Sequence, residues 1–236
     1  MLFATGGDSL PSAVRVDFLA TDQITPQDRE LATDADAEIT ERARAAGFRF
    51  DQDKWNSQQI VCSALPNHLF MQFKRSGNGS ESILTASIPR GGQGQVRIVP
   101  IMRRGYSLFS PAPINAQTVS VFNHIRDEEH PEKAPEWLAT GLCYAALAGA
   151  RPSIESQEES KIQKLPAAPS GGLTIQPQGG AVIFFTDLAT LPRLMQWTMT
   201  FDGHGKLLKA AHFPAPKSKD KVRQTTPAEV QGKPVR

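Results

Sequence analysis

Residues 69–74 repeat with a period of two: Leu69, Met71 and Phe73 fall on one side, and Phe70, Gln72 and Lys74 on the other. That period belongs to a β-strand. Ser76-Gly77-Asn78-Gly79-Ser80 then supplies a turn, and 81–88 forms a return strand ending at Pro89. Arg90-Gly91-Gly92-Gln93-Gly94 turns the chain again, and 95–102 reads as a third strand. Pro100 has no N–H to give a ladder, so this strand belongs at an edge or carries a bulge. The pattern predicts a three-stranded antiparallel meander.

The period changes around this meander. Residues 34–46 are alanine-rich with Ile39, Asp34 can cap them, and Gly47 supplies the stop, so a helix is predicted there. Ile114, Val121, Phe122 and Ile125 predict a helix over 114–128. Trp137, Leu138, Leu142 and Ala145 predict another over 136–148, with Pro135 in its first turn and Gly149 after it. Period two returns late: Met195, Trp197, Met199 and Phe201 alternate with polar residues, Asp202-Gly203-His204-Gly205 turns the chain, and 206–213 pairs back.

These elements predict an α+β fold, an antiparallel sheet of hairpins with two or three helices packed on one face. Residues 1–30 have few apolar anchors and read as a flexible acidic segment. Residues 31–150 form the core, 151–172 a polar linker or long loop, 173–213 hairpin strands completing the same sheet, and 214–236 a disordered basic tail. A short ribbon is marginal alone, which favours one continuous sheet.

Composition narrows the class. The chain has 236 residues, 39% hydrophobic and 21% charged, enough apolar content for a core. Gly and Pro number 18 each without a three-residue period, which excludes a collagen-like chain. No apolar run approaches the roughly 18 residues of a spanning helix, so no transmembrane segment is expected. The net charge of +2 is unevenly spread. Residues 1–60 hold 11 acidic and 6 basic side chains, whereas the last twenty hold six basic and two acidic. A folded nucleic-acid reader concentrates basic charge on a folded face, so specific nucleic acid is not expected among the partners. The start of the chain lacks a basic and a long apolar stretch, which read literally means cytoplasmic. The Pro- and Lys-rich tail and the low-complexity linker suit an exported protein, periplasmic or secreted, and that is the expected location.

Candidate chemistry is sparse. His124 and Glu128 stand four apart on a predicted helix, a spacing that could present two metal ligands. The surrounding sequence matches neither His-Glu zinc-protease pattern, so a solvated helix end is the favoured reading and no metal or cofactor is expected. Cys143 with a histidine could make a nucleophile pair, but it sits late in its helix on an apolar stripe, where a thiol stays protonated. Cys62 and Cys143, both in apolar settings, read either as a disulfide or as two buried thiols. Arg97, Arg103 and Arg104 with Tyr106 form the predicted basic binding patch, alongside Arg90, since guanidinium forks suit carboxylate or phosphate groups. The alternative reading is a solvated edge that deters strand pairing. Gly91-Gly92-Gln93-Gly94 is followed by no Gly-Lys-Ser/Thr, and there is no G-x-S-x-G. The expected function is a non-enzymatic binding domain of an exported bacterial protein for an anionic ligand, peptide or glycan. The alternative is a hydrolase using Cys143 with a histidine, or a metal at His124 and Glu128.

Overall fold

In a computed structural model, the structure describes residues 16–51, 54–77, 80–91, 94–104, 114–129, 134–150, 174–176, 179–188 and 191–214. The fold is α+β with every strand pair antiparallel. Five strands form the first sheet in chain order: β1 (Val16–Ala20), β2 (Asn56–Cys62), β3 (His68–Gly77), β4 (Ser80–Pro89) and β5 (Arg97–Arg104). The expected meander is β3–β5, and β5, with Pro100, does lie at the sheet edge. Two strands were not expected before it. Val16–Ala20 is paired to β2 and Pro26–Asp34 is helix α1, so residues 16–30 of the segment read as flexible hold a strand and the start of a helix, and residues 1–15 lie outside the described residues.

Residues 174–214 do not extend that sheet. They build a second one from β6 (Thr174–Gln176), β7 (Gly179–Leu188), β8 (Leu191–Asp202) and β9 (Leu207–Pro214). The linker 151–172 and the tail beyond Pro214 lie outside the described residues.

The helices do not gather on one face. α1 and α2 (Asp36–Ala45) cover the side of the first sheet carrying Leu69, Met71 and Phe73, with Ile39 and Ala43 buried against it. α3 (Ala116–Glu129) and α4 (Ala134–Leu147) pack on the opposite side, against Ile60, Phe70 and Val99. Their far sides meet Trp197, Met199 and Phe201 of the second sheet. The layers therefore run helices, sheet, helices, sheet. Strict alternation along β3 produces the first division, because adjacent side chains point to opposite faces.

The helix ends follow local chemistry. Thr25 caps α1 by accepting from the Asp28 N–H at 3.1 Å, with Pro26 in the first turn. Asp34 is not a cap. The predicted helix begins after it, at a bend around Ala35 that makes no side-chain cap bond. Asn115 caps α3 through the Thr118 N–H at 2.9 Å. The end of α4 is buried, and its last carbonyls need donors. Gln72 Nε2 donates to the Ala146 carbonyl at 3.3 Å, and Thr85 Oγ1 to the Leu147 carbonyl at 3.1 Å. Gln58 in turn donates to Gln72 Oε1 at 2.8 Å. A polar row across the first sheet thus caps the central helix from outside.

The second sheet is tied to α3 as well. Asn123 donates to the Leu207 carbonyl at 2.9 Å and accepts from its N–H at 2.7 Å. Next to this junction the Asp202–Lys206 turn holds Gly205 at φ +74°. A Cβ there would stand 2.5 Å from Trp137 Nε1 and 3.0 Å from Arg126 Nη2. Gly205→Ala is therefore expected to cost about 1–3 kcal/mol by backbone strain and displacement of Trp137. Urea unfolding measures it, and an unchanged midpoint would contradict the tight seat.

Candidate functional site

Several elements converge on His68, at the start of β3. Its side chain is 1% exposed and lies between the last two residues of α3. Nε2 is 2.8 Å from Glu128 Oε2, and Nδ1 is 2.9 Å from Glu129 Oε1. Each ring nitrogen therefore faces its own carboxylate. Glu129 Oε1 also accepts the Asn67 N–H at 2.7 Å, and Glu128 Oε1 accepts from Arg97 Nη2 at 2.6 Å. Burial pushes the Glu128 carboxyl up. The hydrogen bonds from Arg97 and His68 outweigh it and hold the group below the usual carboxylate range.

A second ion pair adjoins this one. Both terminal nitrogens of Arg90 reach the buried Asp28 of α1, and its Nε donates to the His68 carbonyl at 3.4 Å. Gln59 Nε2 donates to Asp28 Oδ2 at 2.9 Å. The Arg90 hydrogen bond holds the Asp28 carboxyl low against its burial, helped by Gln59 and Thr25. These partners lie within the chain, so the cluster works as a clamp joining α1, β2, β3, β5 and α3.

The residues expected to bind a ligand are separated. Arg97 faces inward and is spent on Glu128. Arg103 and Arg104 stand opposite Glu81 and Ser80 at the other end of β5. At 3.3–3.4 Å per residue, Arg103 lies about 20 Å along the strand from Arg97. Tyr106 lies outside the described residues. His124 and Glu128 do not act together: His124 is exposed with Nδ1 bonded to the Ser120 carbonyl at 2.7 Å, while Glu128 turns to His68 and Arg97. Among the described residues no group of three or more His, Cys, Asp or Glu side chains is suited to a metal ion. Cys62 and Cys143 are both buried free thiols in one apolar cluster, and Cys143 lies near enough to Cys62 to act on its ionisation.

A different basic surface emerges at the end of α2. Gly47, at φ +86°, closes the helix: its N–H bonds the Arg44 carbonyl at 2.9 Å and the Phe48 N–H bonds Ala43 at 3.0 Å. The chain leaves extended, sending Phe48 and Phe50 into the core and Arg49 to solvent. Phe50 meets Phe73 edge-on at 5.1 Å and Trp55 at 5.4 Å. Beyond Phe73 on the same side of β3 comes exposed Arg75. Arg44, Arg49, Lys54 and Arg75 thereby surround a recess of about 480 Å³ floored by Phe48 and Phe50. Lys54 pairs with Asp51. Arg44, Arg49 and Arg75 make no ion pair among the described residues.

Beside the recess lies a groove of about 660 Å³ that shares Arg44, Phe50 and Asp51 with it. Thr21, Thr33, Thr40 and Ser57 line the groove with hydroxyls, Ile24 and Met71 add apolar surface, and Arg29 and Asp36 add one charge of each sign. This surface escaped the sequence reading because its cations come from separate segments, three of them within the acidic first 60 residues. The usable signal was Arg49 between two phenylalanines just past a helix-stopping glycine.

No protein-family model matches the chain, and none of the curated proteins or solved structures matches it either.

Proposed function

We propose that the chain is a non-enzymatic binding domain of an exported protein and that it holds an acidic peptide segment of a partner. The observation that carries this reading is the set of three exposed arginines, without ion pairs among the described residues, around one recess beside a groove partly lined by hydroxyls. Guanidinium forks take carboxylates through two parallel hydrogen bonds. The groove hydroxyls can serve the amides of an extended chain, and its apolar patches can take small side chains. Phe48 and Phe50 are nearly buried, at 5% and 3% exposure, so they present no open aromatic plane on which a sugar ring could stack. That favours a peptide over a glycan.

Fluorescence anisotropy with a labelled oligoglutamate peptide tests the reading. Binding is expected to weaken as salt rises, and the double variant Arg49→Ala/Arg75→Ala to bind about tenfold or more weakly. A parallel double variant, Arg103→Ala/Arg104→Ala, is expected to bind as the parent does. Equal affinity in the Arg49/Arg75 variant would overturn the site. Loss confined to the Arg103/Arg104 variant would move the ligand to the end of β5.

A further inference from the structure

We infer that Cys62 and Cys143 are joined by a disulfide in the working protein, a covalent staple between the first sheet and the central helix layer. The inference stands apart from the peptide-binding reading. The chain has two cysteines, about 80 residues apart, and the fold brings them together. Cys62 ends β2, opposite Val16 of β1. Cys143 lies on α4. Both are nearly inaccessible, at 5% and 1% exposure, in one apolar cluster with Ile60, Leu65 and Tyr144. A solitary buried cysteine is accounted for as a small apolar side chain. Two that share one buried cluster, one on a strand and the other on the helix packed against it, can be bridged, since a disulfide needs neighbouring β-carbons and no long reach.

The surroundings also decide when the bond forms. Burial, reinforced by the neighbouring Cys143 thiol and by Glu129, pushes the Cys62 thiol well above its ordinary range. The thiolate is the attacking species, so the folded reduced pair reacts poorly, and an external reagent cannot reach it. Oxidation therefore belongs to the chain before this core closes. One cysteine thiolate attacks an external disulfide; a mixed disulfide forms and one external thiol leaves. The second cysteine attacks that mixed disulfide; the internal S–S bond forms and the second external thiol leaves. Two electrons pass to the external disulfide, and the two cysteine protons end on the released thiols. Once the core packs, the bond is shielded from reductants. A bond of this kind marks a protein matured in an oxidising compartment.

The test uses the full chain, reduced in denaturant and refolded in a mixture of oxidised and reduced glutathione. The protein is then alkylated in denaturant without reductant and its intact mass measured. The expected product is a monomer carrying no alkyl group and lighter by two hydrogens, in which reductant added under denaturing conditions restores two reactive thiols. In native buffer the same reductant should leave the bond intact. The oxidised protein should unfold at higher urea than its own reduced form, a comparison that needs no variant. Two alkylated thiols, a glutathione adduct on either cysteine, or a disulfide-linked dimer would overturn the inference. So would equal urea midpoints for the two forms. None of these outcomes bears on oligoglutamate binding.

Discussion

Replacing His68 by leucine is expected to lower the unfolding free energy at neutral pH by about 3–5 kcal/mol, the cost of leaving a buried carboxylate without its partner. Leucine fills much of the same space, so the loss comes from the polar contacts to the two carboxylates. Glu129, whose side chain is 2% exposed, would keep the Asn67 N–H but lose its imidazole partner, and Glu128 would keep only Arg97. The pH dependence gives a second reading. Glu128 and Asp28 both have folded values below their ordinary ones. Their contribution is therefore complete above the usual carboxyl range, about pH 4, and is lost as pH falls through the lowered folded values. The parent should lose stability steeply on acidification below about pH 4. In His68→Leu, protonation relieves a carboxylate left without its partner, so the gap between variant and parent should narrow as pH falls. Urea unfolding at several pH values measures both. A loss under about 1 kcal/mol at neutral pH would mean the clamp is solvated and carries little.

Trp197→Ala is expected to cost about 3–5 kcal/mol, as for other large aromatic truncations in a core. Trp197 is 1% exposed and stacks on Phe184 at 6.0 Å, with rings 7° from parallel. Its Nε1 donates to Thr186 Oγ1 at 2.9 Å, so truncation also leaves a buried hydroxyl without its donor. The residue belongs to the same apolar cluster as α3 and α4, and that makes the experiment informative beyond its size. Calorimetry should show one transition moved to lower temperature, because the two sheets share the helix layer between them. A separate early transition, with the remainder melting as in the parent, would show that residues 174–214 unfold as an independent unit.

The part of the fold visible in the sequence was the part governed by neighbours in the chain. Alternation through Leu69, Met71 and Phe73 located β3, and the stripe from Trp137 to Ala145 located α4. Thr25 followed by Pro26 carried a helix-start signal for α1 that an acidic composition obscured. The facts missed were pairings between distant segments. Nothing local tells whether β6–β9 join the first sheet or form another, because register between remote strands is settled by packing. Gln72 sits on the polar side of a correct alternation, yet it is fully buried because the end of α4 needs its donor. Arg97 looked available because its partner Glu128 lies 31 residues away. The arginines around Phe50 were hidden in the same way, because Arg44, Arg49 and Arg75 come from separate segments that only the fold brings around one recess.

The burial of α4 has a consequence for how the protein is made. From Ala139 to Ala148 every residue is buried, with the first sheet on one side and the second on the other. A helix that is apolar all round has no face suited to water. On a ribosome the first sheet can receive α4 as soon as the helix emerges, but the strands that cover its other side extend to Pro214, about 70 residues later. At roughly 5–20 residues per second that delay is about 4–14 s. For those seconds the nascent chain carries a bare, greasy surface in a crowded cell. The yield of this protein should therefore depend on elongation speed and on chaperones that bind nascent chains, as well as on the stability of the finished fold.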